Sequence, residues 1–138
     1  MQKLGRHLII EYTGCDRRVL GDTELLEQSL SEAVRKSGAT IVRSVFHRYN
    51  PQGVSGIVVI AESHFSIHTW PEYGYAAVDF FTCGQHVNPH EAHRYLASVL
   101  NCDACEVREL DRGIPSEIDS YLQHKPTAGP SAAVPPPS

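Results

Sequence analysis

A Glu-Ser peptide bond near the middle of the chain lies close in sequence to a histidine and a cysteine. Glu62 and Ser63 form the bond, His68 follows in the same segment, and Cys83 lies slightly further along. A serine hydroxyl beside a carbonyl can attack it, provided that a base removes the hydroxyl proton and a donor stabilises the oxyanion. The peptide bond then becomes an ester.

Such an ester can lead to a cofactor made from the chain itself. Loss of the serine α-proton expels the ester by β-elimination, and hydrolysis of the resulting dehydroalanine leaves a pyruvoyl group at the new amino terminus. A ketone of this kind forms a Schiff base with an amine substrate and accepts electrons when a carboxylate departs. Taken alone, the spacing of Ser63 and His68 is common, and it favours two ordinary strand residues over a catalytic pair.

Length and composition limit the classes of protein and partner. The 138 residues suit one domain, and 41% hydrophobic with 20% charged residues is typical of a globular protein. A net charge of -4 gives no reason to expect nucleic acid as a partner, so a small molecule is expected. No apolar stretch approaches the roughly 18 residues of a membrane span, and the first residues lack a signal-peptide pattern. We therefore expect a cytoplasmic protein without membrane contact.

Hydrophobic patterning predicts the order strand-helix-strand-strand-strand-strand-helix-strand. Asp22 and Asn88 suit the N-caps of the two helices, which should end near Gly38 and Asn101. Strands are predicted at 4–12, 39–49, 54–61, 64–70, 75–83 and 105–110. This order favours an α+β fold, a two-layer sandwich with a mainly antiparallel sheet and two helices on one face.

The segment Gly56-Ile57-Val58-Val59-Ile60-Ala61 is apolar at consecutive positions. A strand of this kind is usually buried on both faces. Because two helices cover only one face of the predicted sheet, a second copy of the chain is expected to cover the other. The sequence therefore predicts a homodimer, a four-layer αββα assembly.

Residues 1–118 form the predicted domain, and 119–138 form a tail rich in Pro, Ala and Ser that we expect to be disordered. Cys102 and Cys105 have a C-x-x-C spacing, but a second pair is missing nearby. His86, His90 and His93 are interpreted as surface histidines. No metal site is predicted.

The chain resembles the short S-adenosylmethionine decarboxylase proenzymes of bacteria and archaea over residues 3 to about 118. The matching segments are Gly5-Arg6-His7, Gly38-Ala39-Thr40-Ile41-Val42, Phe46-His47-Arg48, Gly53-Val54-Ser55-Gly56, Glu62-Ser63-His64, Ile67 to Ala77, and Phe81-Thr82-Cys83-Gly84. The block from Glu62 to Gly84 is too long for chance agreement.

The resemblance implies self-cleavage between Glu62 and Ser63, which gives a β chain of residues 1–62 and an α chain of residues 63–138. Ser63 then becomes the pyruvoyl cofactor. Ser55 and His68 are implied to assist the cleavage, and Cys83 to donate the proton that quenches the carbanion after CO2 leaves. A thiol suits that task because it is mostly protonated near neutral pH and still able to release its proton.

For the substrate, the resemblance implies S-adenosylmethionine, decarboxylated to S-adenosyl 3-(methylsulfanyl)propylamine for spermidine synthesis. Glu72 would accept hydrogen bonds from the ribose hydroxyls, and Tyr49 would stack on adenine where relatives commonly have phenylalanine. Glu72 as a turn carboxylate and Tyr49 as a strand-end packing residue are the structural alternatives.

Two other functions stay open at this point. The same pyruvoyl chemistry could act on a basic amino acid, ornithine or arginine, because the cleavage motif says little about the substrate pocket. An uncleaved binding or regulatory module is the second alternative, although intact Ser55, Ser63, His68 and Cys83 argue against it.

Overall fold

The structure, a computed structural model, describes residues 3–124 and contains one sheet of six antiparallel strands. The strands are β1 (Gly5–Thr13), β2 (Ile41–Arg48), β3 (Val54–Ile60), β4 (Ser63–Trp70), β5 (Tyr75–Cys83) and β6 (Ala104–Arg112). The helices are α1 (Arg17–Leu20), α2 (Thr23–Lys36), α3 (Pro89–Leu100) and α4 (Pro115–His124), with a 3₁₀ turn at Pro71–Tyr73. The strand order is β2-β3-β4-β5-β1-β6. The predicted α+β fold is confirmed.

The caps predicted from the sequence start both long helices. Asp22 Oδ1 accepts a hydrogen bond from the Leu25 backbone N–H at 3.0 Å, which satisfies an otherwise unpaired donor at the start of α2. Asn88 Oδ1 accepts one from the His90 N–H at 3.1 Å at the start of α3. At its end, α3 passes into Asn101 with φ of 50°, a left-handed conformation that asparagine tolerates.

The hydrophobic core lies between α2, α3 and one face of the sheet. Alternate residues of each central strand point into it, because side chains along a strand alternate between the two faces. Phe65 of β4 and Phe80 of β5 lie opposite each other with ring centroids 4.3 Å apart, and both are fully buried. The helices contribute Leu26, Leu30, Ala33, Val34, Ala92, Leu96 and Leu100.

The opposite face of the sheet, called here the open face, is covered by none of the elements between residues 3 and 124. Two cross-strand rows form its centre: Ile57, Ser66, Asp79, Ile9 and Arg108, and Val59, His64, Phe81, His7 and Leu110. Ile9, Val59 and Leu110 are 37%, 36% and 47% exposed. The predicted burial of both faces of β3 is therefore not met within one chain.

Two helices were not predicted from the sequence. The single turn α1 is too short to show a periodic apolar pattern, and it begins where Asp16 Oδ1 accepts a hydrogen bond from the Arg18 N–H. Helix α4 crosses the boundary predicted between residues 118 and 119, and residues 125–138 lie outside the described part of the chain. None of the helices within residues 3–124 is long and apolar enough to cross a membrane.

Candidate active site

The Glu62-Ser63 bond lies in the tight turn between β3 and β4. Ile60 and Ser63 are the last residues that pair across this hairpin, so Ala61 and Glu62 form the whole connection. Glu62 has φ of 79°, in the left-handed region that favours glycine. A non-glycine residue held there stores strain of about 1–3 kcal/mol. The residue whose carbonyl would be attacked is therefore held in an unfavourable backbone conformation.

The Ser63 hydroxyl lies between two groups that suit the predicted chemistry. Its Oγ contacts the Glu62 carbonyl oxygen, and it lies 3.2 Å from Cys83 Sγ. Cys83 is half-buried at the end of β5 and pairs with Gly5 of β1. A Cβ at Gly5 would lie 2.7 Å from the Phe81 ring and 3.4 Å from Cys83 Sγ, so the absence of a side chain leaves room around the thiol.

Ser55 and His68 form a second pair. They lie directly opposite each other on β3 and β4, and Ser55 Oγ lies 2.8 Å from His68 Nδ1. Both belong to the open face, because Ile57 and Ser66 come next in the same alternation. The two residues implied to assist cleavage are therefore brought together by strand register.

Tyr49 and Glu72 lie towards the same end of the sheet as this pair. The Tyr49 N–H donates a hydrogen bond to the Gly53 carbonyl at 2.8 Å, in the turn that leads into β3. Tyr49 is 48% exposed, and its ring meets the His47 ring edge-on with centroids 4.7 Å apart. Glu72 is exposed in the 3₁₀ turn that follows β4. Both side chains are accessible to a ligand.

The site residues fall into two groups at different ends of β4. Ser63 begins that strand and His68 lies five residues further on. At a rise of roughly 3.4 Å per residue, their backbones are about 17 Å apart. The proximity of Ser63 and His68 in sequence therefore does not bring them together within one chain, because an extended strand separates them.

Sequence reasoning missed a polar cluster on the open face beside Ser63. The Asp79 carboxylate contacts His7 Nε2 at 2.7 Å and His64 Nε2 at 3.2 Å, and it accepts a hydrogen bond from Ser66 Oγ. Arg112 lies 2.8 Å from His7 Nδ1. Burial alone would raise the pKa of Asp79, but the hydrogen bonds from His64, Ser66 and His7 hold that pKa well below its usual range. The carboxylate is therefore ionised at neutral pH.

Only the strand register brings this cluster together, and the sequence does not specify that register. His64 and Ser66 alternate along β4, but Asp79 and His7 join them only because β5 and β1 pair in one particular alignment. His7, His64 and Asp79 also bring three possible metal-ligand atoms within 4.8 Å of one another, the one such group within residues 3–124.

Cys102 and Cys105 follow the end of α3, as predicted. Cys105 Sγ lies 3.9 Å from His93 Nε2, and His93 Nδ1 lies 2.7 Å from the Tyr12 hydroxyl. Burial raises the pKa of Cys102. Little thiolate is then present at neutral pH, and the thiolate is the form that reacts or binds metal. Burial therefore disfavours a reactive role for Cys102.

Comparisons with known proteins agree with the fold and the site. The sequence profile of the S-adenosylmethionine decarboxylase family matches residues 6–113. An S-adenosylmethionine decarboxylase proenzyme from Thermotoga maritima is 54% identical over 118 residues, covering 86% of this chain and 91% of that protein. A protein of the same name from Caldanaerobacter subterraneus is 51% identical over 114 residues, covering 83% and 92%.

The structural comparison leads to the same class of protein. The crystal structure of the adenosylmethionine decarboxylase from Aquifex aeolicus matches with a TM-score of 0.78 and 34% sequence identity, covering 83% of this chain and 94% of that chain. The chain therefore belongs to the S-adenosylmethionine decarboxylase family, which confirms the predicted resemblance.

The strain at Glu62 predicts that glycine at this position gives a more stable protein than alanine, the reverse of the usual order. In a Ser63→Ala background, which removes the attacking hydroxyl, Glu62→Gly should unfold with a free energy about 1 kcal/mol larger than Glu62→Ala, because only glycine tolerates this φ without cost. Urea unfolding at one protein concentration measures the difference. At an ordinary turn position alanine would be the more stable of the two, and that order would contradict the strain.

Proposed function

We propose that this protein is a self-processing, pyruvoyl-dependent S-adenosylmethionine decarboxylase. The observation that carries the proposal is the position of Ser63 Oγ, in contact with the Glu62 carbonyl and 3.2 Å from Cys83 Sγ. The proposed attacking atom, Ser63 Oγ, is thus close to both the proposed scissile carbonyl of Glu62 and the proposed proton donor, Cys83. Family membership supports the same assignment, since the relatives described above carry this name.

In the proposed cleavage, Ser63 Oγ bonds to the Glu62 carbonyl carbon and the bond from that carbon to the Ser63 nitrogen breaks. The hydroxyl proton passes to a base and then to the departing nitrogen. Relief of the strained Glu62 backbone favours leaving the precursor state. β-Elimination from the ester then separates residues 1–62, which keep the Glu62 carboxylate, from residues 63–138, which begin with dehydroalanine. Water hydrolyses this residue, its nitrogen leaves as ammonia, and a pyruvoyl group remains at position 63.

Cys83 is proposed as the proton donor of the decarboxylation. When formed, the pyruvoyl group supplies an electron sink that lets the substrate carboxylate leave as CO2. The Cys83 thiol is half-buried and already within contact distance of the residue 63 side chain, so it can deliver a proton to a carbon held there. The glycine at position 5 keeps the space beside the thiol open.

We also propose the homodimer predicted from the sequence, with two open faces stacked into a four-layer αββα assembly. The open face carries apolar residues such as Ile9, Val59 and Leu110 that remain accessible in one chain. Exposed apolar patches on a sheet are characteristic of interaction surfaces. A second copy related by a two-fold axis covers both faces at once and leaves no unpaired surface.

The separation of the two residue groups gives the dimer a catalytic purpose. Stacked sheets lie about 10 Å apart, close enough for side chains of the two inner faces to interdigitate. A two-fold axis that runs between the two stacked faces, over the middle of β4 and perpendicular to that strand, would place His68 of the partner subunit over Ser63. Ser55, Tyr49 and Glu72 lie at the same end as His68, so one complete site would contain the cleavage bond of one protomer and the assisting and substrate-binding residues of the other.

The substrate assignment rests on Glu72 and Tyr49. An exposed carboxylate and an accessible aromatic ring suit the ribose and adenine of S-adenosylmethionine. Ornithine or arginine would need only a carboxylate for the side-chain cation, and the relatives give that alternative no support. The uncleaved binding module is likewise not favoured. A cytoplasmic location remains part of the proposal.

Cleavage and decarboxylation should separate in single variants. The wild-type chain should give two bands on a denaturing gel, whereas Ser63→Ala should give one band because the nucleophile is missing. Cys83→Ala should cleave but lose at least about a hundredfold in kcat on S-adenosylmethionine, because it lacks the proton donor.

Thr82→Ser is the matched control, because Thr82 is next to Cys83 but its side chain lies on the core face of β5. This variant should keep both cleavage and decarboxylation. Full activity in cleaved Cys83→Ala would show that another group donates the proton. Wild-type activity on ornithine or arginine alone would reassign the substrate.

A site shared between protomers predicts complementation of two inactive chains. Ser63→Ala lacks the nucleophile and His68→Ala lacks the assisting imidazole, so each homodimer should remain uncleaved. Co-expression forms heterodimers in which one site combines Ser63 with an intact His68, so part of the His68→Ala chain should be cleaved. Tags of different size identify the cleaved chain by mass spectrometry. If every His68→Ala chain remains intact in purified heterodimers, the shared site is wrong.

A further inference from the structure

Beside the cleavage bond, four side chains of the open face form a continuous chain of contacts that the proposed chemistry does not use. Arg112 contacts His7, His7 contacts Asp79, and Asp79 contacts His64. The Arg112 guanidinium also lies 5.3 Å above the Phe81 ring, and the His64 ring meets that ring edge-on at 6.0 Å. The Phe81 ring thus packs against both ends of this series of contacts, Arg112 and His64.

The donors of this chain can be assigned from its chemistry. A guanidinium only donates, so at 2.8 Å His7 Nδ1 must accept from Arg112. The neutral His7 ring then carries its proton on Nε2 and donates it to Asp79 at 2.7 Å. A metal-bound histidine needs the reverse, since its second nitrogen usually donates to an acceptor. Arg112 cannot accept, so the group His7, His64 and Asp79 is better suited to hydrogen bonding than to metal binding.

The last side chain in this series of contacts, His64, belongs to the residue that follows Ser63. Before cleavage, Ser63 is fixed on both sides, by the Glu62 turn and by β4. Cleavage removes the first of these and makes residue 63 a strand terminus, and termini fray unless they are held by other contacts. His64 is then the first residue of the 63–138 chain with an intact side chain, and that side chain contacts Asp79 at 3.2 Å.

We propose that Asp79, acting through His64, holds the new amino terminus of the 63–138 chain in place for decarboxylation, with Arg112 and His7 fixing the orientation of the Asp79 carboxylate. This inference rests on the proposed self-cleavage. Asp79 and His64 are positioning residues, because neither is in contact with Ser63 Oγ or Cys83 Sγ in the structure. The low pKa of Asp79 keeps its charge available across the neutral range.

The test separates cleavage from turnover in Asp79→Asn and His64→Ala. Cleavage should proceed within about twofold of the wild-type rate, because the intact turn still holds Ser63. Per cleaved site, kcat should fall by about tenfold to a hundredfold, the cost of misplacing a reacting group, while KM changes by less than about twofold. The double variant should be no slower than the slower single variant, because both break one interaction.

Two matched substitutions sharpen the result. His64→Gln keeps a side-chain donor and should recover most of the kcat lost in His64→Ala. Asp111→Asn removes a carboxylate beside Arg112 that pairs with Lys3 at 2.7 Å across the opposite face of β6, and it should leave kcat unchanged. If Asp79→Asn keeps wild-type kcat, or if it elutes as a smaller assembly than the wild type, the positioning role is wrong.

The tautomer of His7 gives a readout that does not depend on activity. In ¹H–¹⁵N spectra recorded at a pH where the imidazole is neutral, His7 should be the Nε2–H form. Substitution of the exposed Arg112, Arg112→Ala, should weaken that tautomer preference. An Nδ1–H form in the wild type would overturn the proposal even if Asp79→Asn failed to fold. An uncleaved wild-type chain would instead overturn the proposed function, and this inference with it.

Discussion

The antiparallel register of β4 between β3 and β5 is the constraint on which the site depends. It places Ser55 opposite His68 on one side and His64 opposite Phe81 on the other. A slip of one residue would turn His64 and His68 from the open face into the core and carry Ser63 away from Cys83. The burial of Phe65 opposes such a slip, because the slip would move its ring to the open face and break its stacking on Phe80 of β5.

The same register separates the two groups of candidate site residues within one chain. Ser63 lies at the first end of β4 and His68 lies near the other, with an extended strand between them. The apolar residues that a single chain leaves accessible on that face are the ones that a second copy would bury. The proposed dimer would therefore use the open face both to bury these apolar residues and to complete the site.

Much of this architecture follows from sequence pattern. Asp22 and Asn88 mark the helix starts because their side chains satisfy unpaired backbone donors, and alternating apolar residues identify the strands. The Glu62-Ser63 bond and Cys83 were identified through their chemistry and the family resemblance. The separation of Ser63 and His68 follows from the strand predicted at 64–70, because an extended strand rises by roughly 3.4 Å per residue.

The cluster around Asp79, by contrast, was missed. His7, Asp79 and Arg112 are separated by long stretches of sequence, and only the pairing of β1 with both β5 and β6 brings them together. The left-handed conformation of Glu62 was equally hidden, since glutamate carries no turn signal of its own. Both features arise from tertiary structure at the site of the proposed chemistry, where local rules are commonly violated.

The central claim is that Ser63 becomes the cofactor, and an intact-mass measurement of the purified protein tests it most directly. The account predicts two chains that separate after Glu62, residues 1–62 with an unmodified carboxyl terminus and residues 63–138 with the mass of a pyruvoyl group in place of serine. A single mass corresponding to the uncleaved 15.3 kDa chain, or a 63–138 fragment that begins with unmodified serine, would contradict it.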